Sequence, residues 1–281
     1  MENYKIGIAG LGIVGSSIKN FLEHNHIQNT YFYDKFKKNI SDFDVLLKCD
    51  IIFLCLPTKY KHSIKDYDYS AIDDVMTKLK KNKYDGLVVL KSTITPGKTI
   101  ELYKKYNLDL CFYPEFLTAS TANIDFLKQK QIILGLLENP NTNLKNKYNK
   151  LIQFFNIYFN KSIITITNTK IAESVKLFCN NFYSMKIAIC NDFYKICEFN
   201  NIKYDNVMNI MLNNGWINKM HTKVPGTDTK FGYGGGCFIK DTNALNEYMK
   251  RNNINSKVLD SIITLNNERR DLSNEYTNCI D

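Results

Sequence analysis

A chain of 281 residues with a formal net charge of +9 is long enough for one large or two modest domains and a sizeable core. Its lysines are scattered among asparagines and isoleucines with no block of like charge, which excludes a nucleic-acid footprint and leaves mild attraction for anionic ligands such as nucleotides. No apolar run is long enough to span a bilayer, the opening Met1-Glu2-Asn3-Tyr4-Lys5 has no signal-peptide pattern, and the eight cysteines contain no C-x-x-C pair, so a cytoplasmic protein without a metal site is expected.

Tyr4 to Ala9 reads as a buried strand, Gly10-Leu11-Gly12-Ile13-Val14-Gly15 follows, and Ser16 to Glu23 has helical spacing. Asn29 to Tyr33 reads as a second strand ending in Asp34. This is G-x-G-x-x-G between strand and helix, with an acid about 20 residues on, the pattern of a dinucleotide site. Gly10 makes the turn, Gly12 admits a pyrophosphate, and Gly15 lets helix and strand pack. The helix N-terminus at Ile13 and Val14 faces the phosphates. Asp34 is expected to accept hydrogen bonds from ribose hydroxyls, which selects NAD, although Lys35, Lys37 and Lys38 leave room for NADP.

The alternation continues with strands at Asp50 to Leu56, Asp85 to Leu90, Asp109 to Phe112, Gln131 to Leu136 and Ser162 to Thr167. Helices are predicted at Tyr69 to Lys81, after Pro96-Gly97, and at Leu144 to Tyr158. Strands joined by helical crossovers imply an α/β fold, a Rossmann-type, doubly wound parallel sheet, whose ligands sit at the carboxyl ends of the strands. Thr58, Ser92, Thr93 and Glu115 fall at those ends, and each alone reads equally well as a turn or cap residue.

From Asn168 the character changes. Ile171 to Asn200 lacks Gly and Pro and has helical apolar spacing, which predicts one helix of about 30 residues, roughly 45 Å long. Further helices are predicted at Asp205 to Leu212, Thr242 to Arg251 and Lys257 to Asn274, giving a dinucleotide domain over 1–167 and a helical domain over 168–281. On the long helix Lys176 and Asn180 stand one turn apart. A solvated polar stripe is the plain alternative, but Phe178 and Cys179 lie between them. Lys230-Phe231-Gly232-Tyr233-Gly234-Gly235-Gly236-Cys237-Phe238-Ile239-Lys240-Asp241 places a cysteine at or near a helix N-terminus, where a thiolate is favoured, with Asp241 one turn on. A small core cysteine after a glycine loop is an equally good reading of these residues alone.

Together these pieces resemble the UDP-glucose/GDP-mannose dehydrogenase family over nearly the whole chain. The motifs that carry the resemblance are Gly10 to Gly15, Ser92-Thr93-Ile94-Thr95-Pro96-Gly97, and Tyr113-Pro114-Glu115-Phe116-Leu117 followed by Asp125-Phe126. Ala172-Glu173-x-x-Lys176-x-x-x-Asn180 and Gly232 to Asp241 complete the set. The last is highly specific, whereas the Lys-x-x-x-Asn pair is shared with hydroxyacid and 6-phosphogluconate dehydrogenases. Two departures stand out. The family usually carries a further nucleotide-sugar-binding domain, while this sequence runs only about a dozen residues past Asn266-Asn267-Glu268-Arg269. An arginine that contacts sugar across the family's dimer is replaced in the stretch Asn218-Lys219-Met220, and the loop Val224 to Lys230 is longer.

The resemblance implies oxidation of a nucleotide sugar's primary alcohol to the acid by two hydride transfers to NAD. Cys237 would attack the aldehyde and carry a thioester. Lys176 and Asn180 would stabilise the oxyanion, Asp241 and Thr93 would hold a water, and Glu115 would assist hydrolysis, with Glu115 and Asp241 interchangeable. Glu115, Phe116, Leu117, Lys176, Asn180, Tyr233, Gly234 and Gly235 would line the sugar side. Thr58, Ser92, Thr93 and Lys240 would meet the cofactor. The long helix, with Phe178, Phe182, Tyr183 and Met185, suits packing against its two-fold mate in a homodimer. A two-electron hydroxyacid dehydrogenase with Cys237 idle, and a non-catalytic NAD-binding relative, are the alternatives.

Overall fold

The computed structural model describes residues 4–38 and 40–270. In chain order the elements are β1 (Ile6–Ala9), α1 (Ile13–His24), β2 (Thr30–Tyr33), a 3-10 turn (Phe43–Lys48), β3 (Ile51–Leu54), β4 (Tyr60–Lys61), β5 (Asp66–Tyr67), α2 (Ser70–Lys81), β6 (Leu87–Leu90), α3 (Lys98–Tyr106) and β7 (Leu110–Phe112). They continue as α4 (Ala122–Leu127), β8 (Gln131–Leu136), α5 (Thr142–Tyr158), β9 (Ile163–Asn168), α6 (Thr169–Phe199), α7 (Tyr204–Asn213), α8 (Gly235–Arg251) and α9 (Lys257–Arg269). The chain divides into two compact units, one running through Thr58 and from Tyr69 to Lys176, the other comprising Lys59–Asp68 and the chain from Leu177.

The first unit is an α/β fold around a seven-stranded sheet of order β2-β1-β3-β6-β7-β8-β9. Every residue of β1, β3 and β6 is buried, which is why these strands read as unbroken apolar runs rather than as an alternation. β9 lies at the sheet's edge, and Ile163 and Ile166 are exposed there. The sheet is mostly parallel, but β7 and β8 pair antiparallel, Cys111 opposite Leu136. The expected doubly wound parallel sheet is present, and this one pair departs from it. A parallel neighbour needs a crossover that returns the chain along the full strand. The link from β7 to β8 holds only the six-residue α4, which was not anticipated and does not make that return.

The second unit holds the β4–β5 hairpin, the greater part of α6, and α7 to α9. Leu177, Ala188, Leu245, Leu259 and Ile262 form one of its apolar clusters, and Cys190, Cys197, Tyr204, Met208 and Val224 another. The hairpin packs on α8. Ser256 caps α9 through its hydroxyl, which accepts from Leu259 N at 3.3 Å. Residues 271–274 of the predicted last helix, and Cys279, lie outside the described residues.

Candidate active site

The glycine turn between β1 and α1 is built as its spacing requires. Gly10 has φ +90°, and a Cβ there would come within 2.5 Å of the Cys55 carbonyl oxygen. A Cβ at Gly15 would collide with the Gly10 carbonyl oxygen, whereas one at Gly12 would meet nothing within 4 Å. α1 starts at Gly12 with no side-chain cap and has no acidic residue in its first turn, so neither its cap nor its first turn competes for the N–H groups around Ile13 and Val14. Open space in front of an uncapped helix start fits a pyrophosphate. Asp34 Oδ2 accepts from Leu11 N at 2.7 Å and Oδ1 from Phe36 N at 2.9 Å, tying the acid to the glycine turn. Burial pushes its carboxyl up, but these N–H groups and the Lys37 charge outweigh burial and hold it below the usual carboxylate range. Lys37 Nζ donates to Leu11 O at 2.6 Å.

Thr58, Ser92 and Thr93 are all buried at the strand ends. Thr58 Oγ1 donates to Thr93 O at 2.8 Å. The Ser92 hydroxyl receives Leu56 N at 3.1 Å and donates to Leu56 O at 2.6 Å, so it splices the end of β3 to that of β6.

Glu115 and Lys176 meet within the first unit. Lys176 Nζ lies 3.1 Å from Glu115 Oε1 and 5.2 Å over the Phe116 ring, and Glu115 Oε2 accepts from Leu117 N at 2.7 Å. Burial raises the Glu115 carboxyl, but the Lys176 charge, the Leu117 N–H and Lys91 outweigh it, and the group stays below its ordinary range. Phe116 is exposed and Leu117 half-buried. Just N-terminal to Lys176, the buried Glu173 accepts from Gly97 N at 2.5 Å and Thr99 N at 2.8 Å, bonding the start of α3.

Lys91 was not anticipated. It is 3% exposed, its Nζ stands 3.1 Å from the Tyr113 ring centroid and 3.4 Å from Pro114 O, and burial pushes its ammonium down to about 7. A lysine closing an otherwise apolar strand was its only signal.

In the second unit Asn180, Lys240 and Asp241 are joined. Asp241 is fully buried; its Oδ1 accepts from Lys240 Nζ at 2.6 Å and from Tyr67 Oη at 2.5 Å, and its Oδ2 accepts from Asn180 Nδ2 at 2.6 Å. Tyr67, on the β4–β5 hairpin, carried no signal in the sequence. Cys237 is the third residue of α8 and is exposed, as are Gly235 and Gly236. Tyr233 points inward, 2% exposed, its hydroxyl directed to Thr242 Oγ1 and Ile262 O. A Cβ at Gly232 would come within 2.5 Å of Asn266 Oδ1, and one at Gly234 would collide with the Arg270 guanidinium. These two glycines make room for protein. At Gly235 the missing Cβ leaves open space. No cluster of metal-ligating side chains occurs among the described residues, and no helix there is long and apolar enough to cross a membrane.

Residues 17–153 match the NAD binding domain of the UDP-glucose/GDP-mannose dehydrogenase family, and residues 170–268 match its central domain. The chain belongs to this family. Its cofactor is NAD. Among curated members, a UDP-glucose 6-dehydrogenase of Rickettsia bellii is 30% identical over 259 residues, covering 89% of this chain and 55% of that protein. The chain thus spans about half the length of the curated relatives it matches. Its fold is similar to those of a UDP-glucose dehydrogenase from Pyrobaculum islandicum, with TM-score 0.80 and 17% identity, and a UDP-D-ManNAc dehydrogenase from Pyrococcus horikoshii, with TM-score 0.76 and 19% identity. Each comparison covers 94% of this chain and 68% of the other.

Proposed function

We propose that this chain carries the NAD-dependent oxidation of the primary alcohol of a UDP-hexose, UDP-glucose or a close relative, to the uronic acid. The observation that carries the reading is Cys237, exposed in the first turn of α8 within the glycine-loop motif. A two-electron alcohol oxidation needs no nucleophilic thiol, whereas a four-electron oxidation must hold an aldehyde and oxidise it again. NAD supplies the acceptor for each hydride.

The residues then divide the work. Lys176 and Asn180, one turn apart on α6, stabilise the substrate oxygen as it becomes alkoxide and later a tetrahedral oxyanion. Cys237 adds to the aldehyde to give a thiohemiacetal, and loss of the second hydride leaves a thioester. Water cleaves it, returning the thiol and releasing the acid. Glu115 is taken as the hydrolytic base because it is ionised and its side chain is 12% exposed, within reach of water, whereas Asp241 is fully buried with its oxygens engaged by Tyr67, Lys240 and Asn180. Asp241 then acts as the group that orients Asn180 and Lys240, with Thr93 left to hold water. Phe116, Leu117 and Gly235 are surface available to the sugar, and Lys240, Thr58 and Ser92 belong to the cofactor side. A homodimer through α6, in a reducing cytoplasm, completes the reading.

NADH counted per molecule of UDP-glucose or UDP-N-acetylmannosamine consumed tests it. Two is expected; one would transfer the chain to the two-electron dehydrogenases, and none to non-catalytic NAD-binding relatives. Cys237→Ser is expected to form no acid while still binding NAD, and an intact rate of acid formation in that variant would end the thioester reading.

A further inference from the structure

Three consecutive residues just before α8, Phe231, Gly232 and Tyr233, have their backbone polar groups held by side chains. Gly232 N donates to Asn191 Oδ1 at 3.0 Å. Tyr233 N donates to Asn266 Oδ1 at 2.7 Å, and Asn266 Nδ2 donates back to Tyr233 O at 2.9 Å, so one amide side chain pairs with both backbone groups of one residue. Arg270 Nη1 donates to the carbonyls of Phe231 at 3.2 Å and Gly232 at 3.3 Å, while Nη2 pairs with Asp228. Asn266 and Arg270 are 3% and 6% exposed. They occupy the space that side chains at Gly232 and Gly234 would fill. Arg269, beside them, bonds Ala188 O at 3.0 Å and pairs with Asp192, fixing the end of α9 on α6.

Gly234 is the cap of α8 and Cys237 sits in its first turn. A glycine loop has more backbone freedom than any other sequence, so its path must be imposed from outside. We propose that Asn266 and Arg270 are positioning residues for the Cys237 nucleophile, acting through the Phe231–Gly234 backbone to set where the first turn of α8 presents the thiol. Gly232 and Gly234 are required because they admit these two side chains. The proposal rests on the thioester reading above only for its effect on turnover; its effect on the thiol stands apart from it.

The test compares Asn266→Ala, Arg270→Ala, Arg270→Lys and Gly234→Ala with wild type, all full-length. One measurement is the rate of iodoacetamide alkylation of Cys237 against pH, resolved by peptide mass spectrometry; the other is kcat and KM with NAD and UDP-glucose. Asn266→Ala and Arg270→Ala are expected to shift the pH midpoint of alkylation and to lower kcat by about ten- to a hundredfold, as misplacement of a reacting group does, with both KM values within about twofold. Arg270→Lys restores part of the loss. Gly234→Ala reproduces Arg270→Ala, because its methyl displaces the guanidinium, and adds nothing to it in the double variant. Wild-type alkylation in folded Asn266→Ala and Arg270→Ala would overturn the proposal. If Arg270→Ala does not fold, Gly234→Ala and Arg270→Lys decide in its place, and unaltered alkylation in both overturns it equally. Altered alkylation with no oxidation of any UDP-sugar even by wild type would leave the clamp standing and overturn the thioester reading alone.

Discussion

The hydroxyl of Tyr67 donates a 2.5 Å hydrogen bond to Oδ1 of Asp241, 174 positions along the chain, and both residues are fully buried. A carboxylate removed from water is tolerable only when its lone pairs are taken up. Tyr67, Lys240 and Asn180 do this together. Tyr67→Phe keeps the ring beneath Lys240, whose Nζ lies 4.9 Å from its centroid, and removes only the donor. The expected cost is about 1–3 kcal/mol of unfolding free energy, the range for a hydrogen bond to a buried charge. Urea denaturation measures it, and a loss under about 0.5 kcal/mol would show that the bond contributes little.

Asp34 is expected to select NAD over NADP. Its carboxylate is held close to the glycine turn by Leu11 N and Phe36 N and kept ionised by them, which sets a fixed negative charge against a 2′-phosphate. Asp34→Ala should weaken NAD binding by about 1–3 kcal/mol and leave NADP binding less affected. Calorimetry on both nucleotides checks this. Wild-type affinity for NADP equal to that for NAD would mean that Lys35, Lys37 and Lys38 override the acid.

The strands and the long helix were legible because their periodicity follows from burial. β1, β3 and β6 are covered on both faces and so are apolar throughout, while α6 keeps a helical apolar spacing over 31 residues. The direction of β8 was not legible, since an apolar run reads alike either way and only the length of the link before it carries the difference. Lys176 and Asn180 were visible as a pair one turn apart. That Glu115 meets the first and Asp241 the second depends on separations of 61 residues in each case, which no local pattern encodes. Tyr67 sits on a hairpin of two-residue strands, too short to show alternation. Asn266 and Arg270 read as ordinary polar residues near a helix end, because the loop they hold lies more than 30 positions earlier.

α6 carries a row of exposed apolar residues at Phe178, Phe182, Ile189 and Ile196, beside a groove of about 860 Å³ lined by Phe182, Met185, Ile189, Trp216 and Met220. The spacing of four and seven keeps these helix residues on one stripe. An apolar patch of this kind marks an association surface. With the homodimer proposed above, light scattering at micromolar concentration is expected to give twice the chain's mass. Phe182→Asp with Ile189→Asp should give the single mass, since each places an unpaired charge in an apolar contact. A wild-type chain that scatters as a monomer would remove the dimer from the reading.

Lys91 leaves a pH signature on stability. Its ammonium is almost wholly buried among Tyr113, Pro114, Cys55, Cys111, Glu115 and Lys176, and burial lowers it to about 7 from 10.5. Below pH 7 both folded and unfolded chains hold the proton, so the full burial penalty is present. Above pH 7 the folded chain sheds it while the unfolded chain keeps it, so the unfolded state binds more protons and stability rises with pH. The rise is limited near pH 9, where unfolded cysteines begin to ionise while burial raises Cys49, Cys55 and Cys111 beyond reach. Lys91→Met fills a similar volume without the charge. It gives up the contact with the Tyr113 ring and the bond to Pro114 O, so the expected net gain at pH 6 is about 1–3 kcal/mol, less than the roughly 5 kcal/mol that the full shift represents. The gain over wild type should shrink steadily between pH 7 and 9, as followed by urea unfolding at a series of pH values. A destabilised variant at pH 6, or a difference that does not change with pH, would mean that Lys91 is held as an ammonium throughout by Glu115 and the Tyr113 ring.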